Sequence, residues 1–526
     1  MRSMQTVIAL AIIILTIFGI ADSGYVSYEL FNQVIPPCGQ GFDCGTVLTS
    51  KYAYIGPFSV ANSGFVYYLT AFVVSILNFL DVDIKKIFSI QHSKTLKRLQ
   101  TIDLLLLLTT IGFIFSLYLV FIMGVVIQSW CTYCLFSALT SVVLFSTVQY
   151  YHSKYSLHSS FLAKGLTLRI INWLYGVIAK PIFFLFDPEL IHNRLISTGS
   201  FLGNFSVLKF KVRWLFQFKH PVLTKEIDGL QFSNPVGLSA GFDYNGDLTQ
   251  ILPDVGFGFH TIGTVTFGRY DGNPKPRLGR FPNSKALLVN KGLKSIGARA
   301  MIQKLSQLEL TIPTGISIGS TNTHYDSDKD QLMDIIKCFR VFEASSLKHA
   351  YYELNISCPN TFGGESFTYP DRLEVLLTAL DTLKISRSVY VKMPIDQSEK
   401  ETLLLLKVAD KHNVQGLIIG NLTKDRENPA VLPADKAVWK TKKGNVSGKP
   451  TFDRSNKIIS LAKKNYGTRF TIIGTGGIFT AKDAQAKIDR GADLVQLITG
   501  MVFEGPSAIG LINLGLADKL LDKLSK

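Results

Sequence analysis

Residues 353–364 read Glu353-Leu354-Asn355-Ile356-Ser357-Cys358-Pro359-Asn360-Thr361-Phe362-Gly363-Gly364. The spacing predicts the exit of a buried strand that begins at Tyr351. Pro359 has no N–H for a sheet ladder and biases Cys358 away from regular structure, so the strand ends here. Two side-chain amides, Asn355 and Asn360, and the Cys358 thiol then gather at one exit. Taken alone, the cluster reads equally well as a site or as a strand end with turn-forming asparagines and an inert thiol. The surrounding chain decides between them.

From 235 onward, Val/Ile-rich runs alternate with helical patterns at 235–241, 260–266, 315–320, 350–357, 389–394, 416–421, 470–477 and 494–500. Eight such runs with helices between them predict an α/β fold, a (β/α)8 TIM barrel, whose chemistry sits at the C-terminal ends of the strands. The last two runs end in Gly474-Thr475-Gly476-Gly477 and Thr499-Gly500, the place where such barrels hold a phosphate on backbone N–H groups. Lys392 closes the fifth run inside an apolar Val391-Lys392-Met393-Pro394. A lysine buried there needs an anion, and a reduced flavin ring is one; a lysine snorkelling to the rim is the alternative.

At 526 residues the chain exceeds one hydrophobic core. Its first 150 residues are of a different solvent class, with apolar segments near 5–24, 57–80, 103–127 and 131–150, each long enough to cross a bilayer as about 20 residues of helix. The first also has the outline of a signal peptide, but three more follow, and an all-α four-helix transmembrane bundle is expected. The loop 81–101 carries Lys85, Lys86, Lys94, Lys97 and Arg98, whereas 26–56 carries Lys51 alone. The basic side, with the N-terminus and everything past 150, is therefore expected to be cytoplasmic. The formal charge of +16 fits such basic loops. No Lys/Arg stripe interleaved with aromatics accompanies it, which argues against a nucleic-acid partner. A basic linker is expected at 151–165, followed by helices over 166–230 that begin with an aromatic amphipathic segment, 166–186, suited to a membrane interface.

Four of the six cysteines fall as pairs on the expected outer side, Cys38 with Cys44 and Cys131 with Cys134. Cys131-Thr132-Tyr133-Cys134 opens the fourth helix, where the dipole favours a thiolate. A thiol-exchange relay, two structural disulfides and a zinc site all remain open on spacing alone, although the bilayer edge is a poor place for a closed tetrahedral site and no metal is expected.

The pattern Cys38-x5-Cys44, Val47, Ser50, Tyr52-Ala53 and Trp130-Cys131-x-x-Cys134-Leu135 resembles the bacterial vitamin K epoxide reductase family over about 5–150. The resemblance implies that Cys134 meets a membrane quinone in a pocket that Ser50 helps to shape. Cys131 would exchange with Cys38 and Cys44, which take electrons from a secreted thioredoxin-like thiol protein.

Across 176–526 the chain resembles dihydroorotate dehydrogenase. The resemblance rests on Asn234-Pro235-x-Gly237-x-x-Ala240-Gly241, Gly263-Thr264-Val265-Thr266, Pro274-Lys275-Pro276-Arg277, Asn355 to Asn360, Lys392, Ser447-Gly448-Lys449-Pro450 and the two phosphate loops. The approach Phe186-Asp187-Pro188-Glu189-x-x-His192 is similar to that of the membrane-bound, quinone-using class. The resemblance implies FMN held by Ala240, Gly241, Thr264, Ser317, Asn355, Lys392, Ser447, Gly448, Gly476, Gly477, Thr499 and Gly500. It implies dihydroorotate, or its product orotate, on Asn290, Asn355, Asn360 and Asn421, with Cys358 as the base. Three positions depart from the family. Cys358 replaces the serine usual in the membrane class. Tyr244 stands where a lysine is usual, which loses a cationic contact to an anionic substrate, and Leu422 stands where a threonine is usual. The Asn290-Lys291-Gly292 loop is also one residue short. The expected protein is a bifunctional multi-pass inner-membrane oxidoreductase. Its parts are a bundle (1–150), a linker (151–165), quinone-entrance helices (166–230) and an FMN barrel (231–526), with the barrel cytoplasmic and the cysteine relay outside. A flavoenzyme for another pyrimidine-like substrate, with the helices as a mere anchor, is the competing expectation.

Overall fold

The computed structural model describes residues 2–82, 100–155 and 161–524. Two compact units result, 1–165 and 166–526.

The first unit is helical. Helices α1 (Arg2–Phe31), α2 (Val60–Phe79), α3 (Thr101–Phe121, prolonged by a π-helical turn to Ile127) and α4 (Thr132–Tyr155) pack together. Their contact is a core of Ala9, Ile12, Tyr68, Ala71, Val74, Leu105, Leu144 and Val148. The outward faces are equally apolar: Leu107, Ile111, Ile114 and Tyr118 form an exposed stripe at helical spacing on α3. Helices apolar on every side suit a hydrocarbon solvent, and all four have the length and composition of membrane spans. The unit is membrane-associated. Asp103, at the start of α3, and His152, near the end of α4, meet at 3.1 Å and join two helix ends. The loop 81–101, on which the expected sidedness rests, lies largely outside the described residues.

The second unit is the barrel. Strands β1 (Val236–Leu238), β2 (Phe259–Val265), β3 (Thr314–Ile318), β4 (Tyr351–Asn355), β5 (Ser388–Met393), β6 (Gly416–Ile419), β7 (Thr471–Thr475) and β8 (Leu494–Leu497) close in sequential order, all parallel. Each falls on one of the eight expected runs. Alternation sorts the side chains. Phe259, Tyr351, Tyr390, Ile418, Ile473 and Leu494 fill the barrel interior, whereas Tyr352, Leu354, Val391, Leu417 and Ile419 face the outer helices. Burial on both faces explains why the runs read as continuously apolar. The polar layer above the aromatic floor is Thr261, Glu353 and Gln496, with Thr261 Oγ1 bonded to Tyr351 Oη and accepting from Gln496 Nε2, both at 2.7 Å.

Two features add to the sequence-based expectation: a flanking sheet that has no counterpart in it, and a span-length course for the amphipathic helix expected at 166–186. A three-stranded antiparallel sheet (Leu278–Phe281, Ala286–Val289, Asn445–Gly448) flanks the barrel and adds residues to its upper end. Ahead of the barrel, α5 (Leu162–Leu174) runs through a π-helical turn, Tyr175–Ala179, into α6 (Lys180–Leu185). This segment is long and apolar enough to be a fifth span. Its second half is nonetheless docked on the barrel: Tyr175 Oη donates to Val502 O at 2.7 Å and the Phe184 ring meets Phe503 edge-on. Helices α7 (Pro188–Gly203) and α8 (Ser206–Phe216) follow.

Candidate active sites

The barrel holds a cavity of about 550 Å³ at the C-terminal ends of its strands. Strand exits supply Ala240, Gly241, Thr264, Asn355, Cys358, Lys392, Asn421, Gly476, Gly477, Thr499 and Gly500, and the small sheet supplies Ser447 and Gly448. The cavity then runs outward between Tyr175, Phe183, Phe184, Ile191, Leu195 and Leu202 of the preceding helices. Its floor is polar and its mouth apolar.

One hydrogen-bonded chain organises the floor. Asn355 Nδ2 donates to Thr264 Oγ1 (2.8 Å), which meets Ser317 Oγ (2.9 Å); Ser317 Oγ donates to Glu353 Oε1 (2.6 Å), and Lys392 Nζ lies 3.3 Å from the same oxygen. Strand register brings them together, since Asn355 pairs with Lys392 and Ser317 with Glu353. Glu353 is fully buried and Lys392 nearly so. The anion expected beside Lys392 is thus partly internal. The sequence pattern gives Glu353 no role of its own; a carboxylate inside the apolar Tyr351-Tyr352-Glu353-Leu354 is the signal that marks it. Ser317 stands behind the wall and does not line the cavity. Asn290 also lies off the wall, its Oδ1 accepting from Asn273 Nδ2 at 3.0 Å. Asn360 Oδ1 accepts from Asn445 Nδ2 (2.7 Å), and Asn421 Nδ2 donates to Ser357 O (2.7 Å).

The glycines of the phosphate loops fit a cradle. A Cβ on Gly500 would meet Ile478 O at 1.9 Å, and one on Gly476, whose φ is +94°, would meet Thr451 Oγ1 at 2.6 Å. With Lys392 beneath and Ser447 Oγ beside Thr499 Oγ1 (2.9 Å), the lining suits a phosphorylated, ring-shaped cofactor. Burial pushes the Cys358 thiol up to about 11, against the lowering effect of the Asn360 N–H and the Lys392 charge. Tyr244 also lines the cavity, and Lys291 Nζ lies over its ring at 5.3 Å.

The part of the chain that holds this cavity matches a known family. Residues 222–520 match the family model "Dihydroorotate dehydrogenase". The dihydroorotate dehydrogenase (quinone) of Trichodesmium erythraeum is 32% identical over 364 residues, covering 66% of this chain and 95% of that protein. The chain belongs to the dihydroorotate dehydrogenase family. The dihydroorotate dehydrogenase (quinone) of Crocosphaera subtropica is 36% identical over 348 residues, covering 64% of this chain and 90% of that protein. The crystal structure of DHODH from Eimeria tenella in complex with ferulenol superposes with TM-score 0.54 at 27% identity, covering 64% of this chain and 92% of that one. Residues 10–148 match the vitamin K epoxide reductase family model. The protein is an oxidoreductase that joins a vitamin K epoxide reductase family domain to a dihydroorotate dehydrogenase family barrel.

The membrane unit has its own cavity, of about 240 Å³, lined by Cys134, Ser50, Tyr67, Tyr68, Ser137 and Asp22 among others. Cys131 immediately precedes α4, and its Sγ accepts from the Cys134 N–H at 3.4 Å. Cys131 and Cys134 are free thiols, and Cys38 and Cys44 form a disulfide. The disulfide loop is docked over the start of α4: Asp43 N–H donates to Trp130 O (2.9 Å), Tyr133 Oη donates to Pro37 O (2.9 Å), and Cys38 Sγ lies 3.9 Å from Thr132 Oγ1. The four sulfurs thus share one apolar cluster, and of them Cys134 lines the cavity.

Proposed function

We propose that the barrel oxidises dihydroorotate to orotate with FMN and passes the electrons to a membrane quinone. The observation that carries this reading is the single cavity joining the polar floor around Cys358 to the apolar mouth between the Tyr175–Ala179 turn, α6 and α7. A small polar ring suits the floor, and a lipid-soluble quinone suits the mouth. FMN, when bound, supplies the two-electron acceptor for the hydride at ring C6. Cys358 takes the proton from C5, Asn360 and Asn421 orient the pyrimidine, and the Asn355-to-Lys392 network braces the cofactor side. Dihydroorotate loses one proton and one hydride, which balances its conversion to orotate. The purified full chain is expected to be yellow and to bleach on adding dihydroorotate without oxygen; a folded, colourless protein would sink the assignment.

For the membrane unit we propose thiol oxidation coupled to the same quinone pool. A secreted thioredoxin-like thiol protein reduces the Cys38–Cys44 disulfide, the resulting dithiol reduces a Cys131–Cys134 disulfide, and the Cys131/Cys134 dithiol gives two electrons and two protons to quinone at the wall shared by Cys134 and Ser50. The combination of a loop disulfide with free Cys131 and Cys134 corresponds to the state that precedes quinone reduction. We place the chain in the inner membrane, with the bundle at 1–150, the linker at 151–165, the entrance helices at 166–230 and the barrel at 231–526. The barrel is cytoplasmic and the relay faces outward. Cys134→Ala is expected to abolish quinone reduction by a dithiol and to leave dihydroorotate-driven reduction unchanged. Loss of both would show that the two halves are coupled rather than tethered.

A further inference from the structure

The cavity wall carries an uneven charge. Its basic side chains are His192, Arg280, Lys291 and Lys392, and among the described residues no carboxylate lines it. Burial, with Lys291 nearby, takes His192 down to about 4, so it is neutral at physiological pH. Arg280 is held at the apolar mouth, where its Nη1 donates to Phe186 O at 2.9 Å and its guanidinium lies over the Phe184 ring at 4.7 Å. Lys392, paired with Glu353, lies beneath the floor on the side read as the cofactor's. That leaves Lys291.

Lys291 is almost fully buried, with its Nζ 2.8 Å from Glu189 Oε1. The same Glu189 oxygen lies 3.6 Å from Arg277 Nη1. One carboxylate thus faces two cations, and the cluster keeps a net positive charge in a poorly solvated place. An ammonium has three N–H donors, and Glu189 accepts from one. Asn273 holds the backbone of Lys291 beside the floor: its N–H donates to Lys291 O at 3.1 Å, while its Nδ2 donates both to Asn290 Oδ1 and to Asn360 O at 3.0 Å. The ammonium lies over the Tyr244 ring, whose face favours a cation. Tyr244 is the position at which the family's usual lysine is missing.

We infer that Lys291 is the carboxylate anchor of this enzyme: the cation lost at Tyr244 is supplied from the shortened Asn290-Lys291-Gly292 loop, seated on the Tyr244 ring and oriented by Glu189. The inference rests on the dihydroorotate dehydrogenase reading above, and it assigns the site an anionic, carboxylate-bearing ring rather than a neutral pyrimidine. Glu189 opens α7, so the helix that borders the quinone mouth also positions the substrate anchor.

Calorimetric titration of the FMN-loaded full chain in detergent with orotate, and separately with uncharged uracil, tests the assignment. Lys291→Met is expected to weaken orotate binding about 10- to 100-fold, the size of a hydrogen bond to a charged group, and to leave uracil binding unchanged. Lys291→Arg should stay within a few-fold of the parent, and Tyr244→Lys added to Lys291→Met should restore orotate. In turnover, Lys291→Met should raise KM for dihydroorotate with little change in kcat. If Lys291→Met sheds its flavin, the paired Lys291→Met/Glu189→Gln protein is titrated instead, and the same selective loss is required. Parent-like orotate affinity in Lys291→Met, or in Lys291→Met/Glu189→Gln where that protein replaces it, overturns the anchor. A parent protein that holds FMN but binds no orotate overturns the dihydroorotate reading itself, which keeps the two failures apart.

Discussion

Replacing Cys358 by Ala is expected to slow flavin reduction by dihydroorotate about 10²- to 10⁴-fold, the contribution typical of a positioned general base, while FMN stays bound. The thiol lies on the cavity wall two residues before Asn360, and Cys358→Ala removes the proton acceptor without touching the phosphate glycines. The pH profile adds a second reading. Because burial raises the thiol to about 11, it is protonated at neutral pH. The fraction able to accept a proton then grows about tenfold per pH unit below that value. The rate of flavin reduction should therefore climb steadily from pH 7 to 10, without a plateau near 8. Stopped-flow absorbance of the parent and Cys358→Ala across this range checks both points. A pH-independent rate in the parent, or a rate in Cys358→Ala within a few-fold of it, would remove Cys358 from the role of base.

The strand pattern was legible because parallel strands buried on both faces read as uninterrupted Val/Ile runs. All eight barrel strands lie where those runs stand, and the four membrane helices lie where the apolar segments stand. The small antiparallel sheet was not legible. Leu278–Phe281 and Ala286–Val289 are short and joined by Pro282-Asn283-Ser284-Lys285, and their third partner, Asn445–Gly448, lies more than 150 residues away in the chain. Such pairing leaves no local period. For the candidate site, the glycines and asparagines were readable as types at strand exits. Which of them reach the cavity was not: Ser317 and Asn290 differ from Thr264 and Asn360 by which face of a strand or loop they occupy and by who bonds to them. Lys291, read from sequence as part of a shortened loop, acquires its meaning from Tyr244 and Glu189, which are close to it only in the folded chain.

Lys392→Met is expected to be the most damaging single change in the barrel floor. Glu353 is fully buried, its Oε1 accepts from Ser317 and lies 3.3 Å from Lys392 Nζ, and its Oε2 has no hydrogen-bond partner among the described residues. Removing the ammonium strands a carboxylate in the barrel interior, and breaking a buried pair on one side costs about 3–5 kcal/mol. The double variant Lys392→Met/Glu353→Gln removes both charges and should recover most of that stability, since a neutral amide can still accept from Ser317 Oγ. Its flavin properties should not recover, because the cation facing the cavity is gone in both proteins. Thermal unfolding and FMN content of the single and double variants separate the two roles. Equal instability of both would mean that Lys392 supports the fold by packing alone. Full FMN affinity with parent-like flavin reduction in the double variant would mean that Lys392 serves Glu353 and not the cofactor. The expected split, stability restored and flavin function lost, follows from a lysine that faces two anions: one built into β4, the other brought by the ligand.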